Sequence, residues 1–397
     1  VDGVTSPLGE LDFAEVGERL RRARDAAGIT QADAAEAIGV VRPTLSAIEK
    51  GQRRVRLSEL QKLALLYGTS VNALVRTEAV HVDLAPRFRK LHDSEDADTA
   101  EAVQLLSDLA RAEVELENLL GIERVRNYPP ERPIARGDVR EQAENDANEL
   151  RQRLGLGLAP IADIVTLLEF DMGVRVYVRR LKGKISGLFA YDETLGACIL
   201  LNANHPKDRR TQTAAHECGH LVSTRRQPEV LHLGEVENSR EERYANAFGP
   251  ALLAPARAVL QKFQEVVAGS PVLSRRHVIV LAHYFNISRE ALVRRLEDLK
   301  LVKPGRWDWF VDQGGISDEQ ERQVLGDLVS PDAAKAEASR PTTLRLALLA
   351  AEAYRQELMS EGQLSKLLRL DRSELRAMFA DLELEGSDAD GIPILPD

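Results

Sequence analysis

Hydrophobic positions in the first part of the chain recur at three- and four-residue steps and are punctuated by glycine. Between Phe13 and Ala27 they fall at Phe13, Val16, Leu20 and Ala23, and Gly28 stops the run. Thr30 then stands as N-cap of a second helix, Gln31 to Ile38, that ends at Gly39. A third predicted helix runs from Arg42 to Lys50 and ends at Gly51; Ser58 opens a fourth, through Leu66, and Ser70 a fifth. Farther along, Val103, Leu106, Leu109, Val114 and Leu119 form a stripe behind Thr99, a candidate cap. That stretch reads as a long connector, either a spacer or a dimer seam. Asn127 to Gly137, with Pro129-Pro130, is a loop and a candidate domain boundary.

Period-two alternation is confined to the middle of the chain. After helices from Glu141 and over Ile161 to Phe170, Gly173 to Val178 alternates like a strand. Ile185 to Tyr191 and Ala197 to Asn202 read as a hairpin joined around Asp192 to Gly196. Helical spacing then returns. Residues 274–300 form a two-helix pattern in which Ser288 caps the second member, and a buttressing role is the favoured reading. Pro304 to Gly315, with Trp307 and Trp309, reads as a loop or short strand. Leu344, Leu348, Ala351, Tyr354 and Leu358 are the expected packing stripe of a C-terminal helix, followed by a further pattern over Leu364 to Phe379. The last dozen residues are acidic and contain proline, a composition that predicts disorder.

The predicted fold is therefore mainly α with a small β-sheet (α+β). Its expected parts are a five-helix domain over 13–76, a connector and loop over 80–137, a domain that contains the strands over 138–302 and a helical region over 303–397. A formal net charge of −10 means that any basic surface must be local. Two cysteines, Cys198 and Cys218, argue for a reducing compartment. With no signal peptide or long apolar span, the expectation is a cytoplasmic protein without membrane contact.

The chemistry concentrates in His216-Glu217-Cys218-Gly219-His220, an H-E-x-x-H on a predicted helix. At about 100° per residue the two histidines fall within roughly 40° of each other on one face, spaced to grip one zinc ion. Glu217 stands beside them as the general base, while Cys218 points about 200° away and reads as packing. The bland alternative is a buried or exposed His pair. A catalytic zinc needs a third ligand, and Glu242, on a second predicted helix, shares a face with Asn246, whose amide could hold a ligand in place from behind. Glu241 is the rival ligand. His205 could line the cleft, although an exposed loop histidine is the favoured reading, and His232 could stabilise an oxyanion or equally well be a surface residue. His277 and His283 look structural. The strands suggest a sheet edge beside the cleft that could take an extended peptide.

Asn202, Arg209-Arg210, the H-E-x-x-H, then Glu242-x-x-Ala-Asn-x-Phe and Leu252-Leu253-x-Pro255 resemble the ImmA/IrrE family of zinc metallopeptidases. The resemblance, covering roughly 140–300, implies a zincin-like domain with His216, His220 and Glu242 as zinc ligands and Glu217 as base. Gly249-Pro250 departs from the family, and Pro250 predicts a kink just past the ligand. Ile29-Thr30-Gln31, Ala34-Ala35, Ile38-Gly39-Val40 and Thr44-Leu45-Ser46-x-Ile48-Glu49-x-Gly51 resemble the Xre/λ-repressor-like helix-turn-helix domain. This implies Gln31 at a phosphate and Arg42, Thr44 and Ser46 facing bases. Arg53, Arg54 and Arg56 form a basic loop for phosphates.

Together these point to a DNA-binding transcriptional regulator with a zinc-dependent endopeptidase domain, cleaving a repressor-type transcription factor in a stress or mobile-element response. Its expected partners are a double-stranded operator, a helix-turn-helix repressor as substrate and a second copy as homodimer. One alternative is a regulator whose metallopeptidase-like domain only senses or binds; another is one half of a toxin-antitoxin-like pair.

Overall fold

A computed structural model of the chain describes residues 13–69, 71, 74, 97–232, 239–326 and 342–382. The chain divides into two compact units, Val1–His81 and Val82–Asp397. In the first, helices α1 (Phe13–Ala26), α2 (Gln31–Ile38), α3 (Arg42–Glu49) and α4 (Leu57–Tyr67) follow the glycine punctuation of the sequence. The Thr30 hydroxyl accepts the Asp33 N–H at 3.2 Å and Gly39 closes α2 at φ 74°. Helix α4 opens one residue before Ser58, because the Glu59 carboxylate reaches back to the Arg56 N–H at 2.9 Å. The expected fifth helix, opened by Ser70, lies largely outside the described residues. Leu20, Leu45, Ile48 and Leu63 form a core from which solvent is fully or almost fully excluded.

The second unit is built around a four-stranded sheet of order β1-β3-β2-β4. Its strands are β1 (Arg175–Arg179), β2 (Ile185–Asp192), β3 (Gly196–Asn202) and β4 (Glu229–His232). The predicted hairpin is β2–β3, and β1 adds parallel to β3 with Val176 opposite Ile199. Strand β4 was not foreseen: four residues pairing with β2 carry too little alternation to stand out. On one face, Val176, Phe189, Ile199 and Leu201 pack with helices α6 (Val139–Arg153), α8 (Lys207–Ser223) and α9 (Arg240–Leu253). Between α6 and β1 lies a short helix, α7, Ile164–Thr166 continuing into a π turn over Leu167–Asp171.

The opposite face is covered by α5 (Ala97–Leu120), so the stripe expected of a spacer or dimer seam packs against the sheet of its own unit. The loop 127–137 likewise lies inside this unit, where the Asn127 N–H donates to Met172 O and the Arg132 N–H to Val222 O. Pattern reading missed that two acids of α5 are buried. Glu117 accepts from Arg124 at 2.8 Å, Arg175 at 2.7 Å and Arg345 at 3.1 Å, while Glu113 accepts from Arg124 and, at 2.6 Å, from the Tyr177 hydroxyl. Such groups are tolerated in a core only when paired.

Beyond α9 come α10 (Ala256–Val267), α11 (Arg275–Phe285), α12 (Arg289–Asp298), α13 (Arg306–Asp312) and α14 (Asp318–Leu325). The segment read as loop or strand around Trp307 is thus helix α13, because Gly305 at φ 78° starts a turn that carries Trp307 and Phe310 onto the core. The C-terminal helices are α15 (Leu344–Arg355), α16 (Glu361–Leu368) and α17 (Arg372–Leu382). Here the predicted stripe is on the wrong face. Leu344, Leu348, Tyr354 and Leu358 are exposed, whereas Leu346, Ala347, Leu349, Ala350 and Ala353 are buried. Small alanines on that side let α15 lie close to α5.

Glu169, in the π turn, is pushed up to about 8 by burial and by the nearby charge of Glu113, against a partial offset from Thr343. The folded chain therefore holds a proton that the unfolded chain releases above its ordinary 4.5, and stability falls as pH rises through that interval toward about 8. Glu169→Gln is expected to flatten this fall, by on the order of a few kcal/mol at its upper end. Thermal melts of both proteins across the interval check it, and parallel curves would refute it.

Candidate metal centre and nucleic-acid interface

Helix α8 is buried continuously from Thr213 to Ser223, so both motif histidines are held inside the second unit. Helix α9 begins at the N-cap Ser239, whose hydroxyl accepts the Glu242 N–H at 3.1 Å and so fixes that carboxylate in the first turn. Two glycines allow the helices to touch. A Cβ on Gly219 would come within 3.0 Å of Ala245 Cα, and one on Gly249 within 3.2 Å of the His216 nitrogen. Gly249 thus explains one half of the departure noted in the sequence. The other half, Pro250, lies within a helix that continues to Leu253.

This crossing brings three of the predicted residues together. His216 Nε2 lies 3.2 Å from His220 Nε2 and 3.5 Å from Glu242 Oε2, and His220 Nε2 lies 3.1 Å from Glu242 Oε1. Four-coordinate zinc with bonds of about 2.0–2.2 Å places its ligand atoms about 3.3–3.6 Å apart. The donor set, two imidazoles and one carboxylate, fits Zn²⁺ in both chemistry and spacing. Burial first, and the charge His220 would carry, hold His216 down to about 4, so the imidazole is neutral, as a ligand must be. Burial pushes the Glu242 carboxyl up, but its contacts with His220 and His216 outweigh that and leave it lowered.

The outward nitrogens are fixed too. His216 Nδ1 meets Asn246 Oδ1 at 3.1 Å, the place expected for that amide, and His220 Nδ1 meets Thr224 Oγ1 at 3.2 Å. Thr224 escaped notice, although its position four residues after His220 puts it on the same helix face. Glu217 is fully buried, and Gly187 leaves room for it: a Cβ there would stand 3.2 Å from Glu217 Oε1. Gly187 adjoins a bulge in β2 and pairs with Leu231 of β4, so the edge of the sheet here is β4. Cys218 packs in the core. Glu241 and His205 are half-buried outside the cluster, His277 is buried within α11, and His232's side chain lies outside the described residues. A cavity of about 280 Å³ reaches the cluster, lined by Gln212, His216, Asn246, Pro250, Ala291 and Arg294. Helix α12 does buttress the site: Gln212 donates to Ser288 Oγ at 2.9 Å, and Arg295 donates to Ala254 O at 2.9 Å and to Glu144.

In the first unit, Arg42 is exposed at the start of α3, with Thr44 and Ser46 half-buried behind it. Gln31 is part of a chain of contacts that sequence reading did not find. Its amide donates to Glu49 at 2.7 Å and accepts from Arg42 at 3.4 Å, while Glu49 is held by buried Arg24 at 2.7 Å. Arg53 is bound in two-pronged fashion by Glu59, at 3.1 and 2.9 Å, and Arg54 lies over the Phe13 ring at 4.5 Å. The free cationic edge is therefore narrower than the count of arginines suggests.

Residues 171–297 match the family described as IrrE N-terminal-like domain (Peptidase_M78), and residues 20–74 match the helix-turn-helix family. The chain joins these two domains. The DNA-binding fold thus precedes a protease-like one, and the IrrE-like match spans β1 to α12, including every member of the histidine–glutamate cluster. No curated protein matches the chain. Among solved structures, the crystal structure of ComR from Streptococcus suis is matched at 12% identity over 94% of this chain and 88% of that one, with a TM-score of 0.16. Among the described residues, no helix is long and apolar enough to cross a membrane.

Because Asn246 and Thr224 orient the two imidazoles, Asn246→Ala and Thr224→Val are each expected to lower zinc affinity about 10- to 100-fold while the protein stays folded. Competition against a chromophoric chelator measures this; unchanged affinity in both would remove their orienting role.

Proposed function

We propose that this protein is a DNA-binding transcriptional regulator whose IrrE-like domain is a zinc-dependent endopeptidase. The observation that carries the reading is the cluster of His216, His220 and Glu242 at tetrahedral spacing, with Glu217 one residue along the same helix. Zn²⁺ held there would supply the Lewis acidity that amide hydrolysis needs. Glu217 takes the proton from the attacking water and delivers it to the leaving amine. The side chains of Asn246 and Thr224 keep both Nε2 atoms aimed inward, and burial of the cluster strengthens every electrostatic contact in it. A peptide substrate enters beside His216, where the cavity opens.

In the helix-turn-helix domain, α3 presents Arg42, Thr44 and Ser46 to bases, and Gln31 and Arg54 serve phosphates. Arg53 contributes chiefly through its pair with Glu59, which secures the start of α4. The substrate of the peptidase is a helix-turn-helix repressor, cleaved in a stress or mobile-element response, and the chain reads two operator half-sites as a homodimer.

Elemental analysis is expected to find about one zinc per chain in the wild type, lost in His216→Ala and Glu242→Ala. Glu217→Gln should retain the metal and abolish cleavage of a repressor substrate; a variant that cleaves at the wild-type rate removes Glu217 as the base. For DNA, Arg42→Ala should weaken operator binding by about tenfold or more. Arg53→Ala should instead lower the melting temperature of the first unit, and gel-shift titrations beside thermal melts separate the two effects.

A further inference from the structure

Past the metal centre, the chain folds α10, α11 and α13 around a second and larger hollow. Helix α10 is amphipathic and α13 carries aromatic residues, and their apolar faces do not close on each other. The hollow measures about 1010 Å³, at the upper limit of sites that hold small organic molecules. Phe263, Val267, Leu273, Val302, Trp309 and Phe310 form its apolar wall. Trp309 remains 45% exposed, a large ring left against solvent at the mouth.

Four cations stand around that wall: Arg275, Arg276, Lys303 and Arg306. No acidic side chain among the described residues lines it. Arg275 is anchored by Gly315 O at 2.8 Å and lies over the Phe310 ring, and Arg306 lies over Trp309 at 5.3 Å. Among the described residues, these two are therefore held in place by backbone and rings and not by counter-charges. Arg276 and Lys303 are exposed at the rim. An apolar wall under a rim of one sign is complementary to an amphipathic anion. A neutral apolar molecule would leave the cations unused, and a polyanion would leave the rings unused.

We propose that this hollow is a binding site for a small organic anion, with an aromatic or branched apolar body and a single carboxylate or phosphate. The body lies against Phe263, Trp309 and Phe310, and the anionic group faces Arg276 and Lys303, with charge-assisted hydrogen bonds to the guanidinium. The site is separate from the histidine–glutamate cluster and shares none of its residues. It therefore does not depend on whether the domain is a peptidase.

Trp309, one of the two tryptophans of the sequence, lines this hollow, so part of the tryptophan emission reports on it. Titration of the full-length protein with phenylbutyrate is expected to give a saturable emission change and a matching calorimetric heat. Phenylbutanol, the same body without the charge, should bind about tenfold more weakly or worse, and inorganic phosphate alone should give no emission change. The double variant Arg276→Glu, Lys303→Glu should weaken phenylbutyrate about tenfold or more and leave phenylbutanol unaffected. Arg276→Gln, a milder change at an exposed position, repeats the test if the double variant fails to fold. Absence of both emission change and heat with phenylbutyrate overturns the site. Equal binding of phenylbutanol, or indifference to the charge substitutions, overturns its selectivity for anions.

Discussion

The second unit depends on how closely two helices can cross. Imidazole and carboxylate side chains are short, and three donors meet at about 3 Å only if the backbones that carry them nearly touch. Gly219 on α8 and Gly249 on α9 remove the side chains that would hold those backbones apart. From that contact follow the burial of the cluster, the placement of Glu217 against Gly187 of the sheet, and the need for a cap at Ser239 that sets where the second helix starts. The proline after Gly249 is compatible with the crossing because the helix has already made its approach one residue earlier.

How far the sequence could be read depended on whether a signal was local. The helices of the first unit were legible because each ends at a glycine whose left-handed backbone is needed there, as at Gly39. The histidine–glutamate cluster was legible because H-E-x-x-H fixes two residues one helical turn apart, and Glu242 and Asn246 repeat that spacing on the partner helix. What could not be read was pairing across long separations. Nothing near Glu113 or Glu117 announces that Arg175 and Arg345 will meet them. Gln31 gave no sign that Glu49 would hold its amide. The stripe of α15 misled for a related reason: leucine marks the buried face only when the neighbour leaves room for it, and here α5 came close enough to select alanine.

Polar groups buried behind the sheet serve a different purpose from those in front. In front, His216 and His220 are arranged so that two nitrogens remain available to a ligand. Behind, the polar groups are directed at one another: Arg175 pairs with Glu113 and Glu117 and donates to Leu195 O, Arg124 donates to both acids, and Tyr177 donates to Glu113. Such a network contributes little net stability relative to an apolar core, but it penalises any other register of α5 against β1. The sheet is thereby held in one arrangement beneath a site whose spacing tolerates little error.

That network also spans an unusual length of chain. Its front-face counterpart is complete once α12 has been made, whereas Thr343 and Arg345, which bond Val176 O and Glu117, come after α14. Synthesis runs from the N-terminus, so a chain still on the ribosome forms the metal-site face of the sheet first. Its rear face then carries two buried acids with only part of their complement until α15 emerges. Truncation upstream of residue 343 would leave the donors of the cluster present and the floor beneath them without the Thr343 and Arg345 bonds. The last helices are in this sense a late-arriving keystone for a site they never touch.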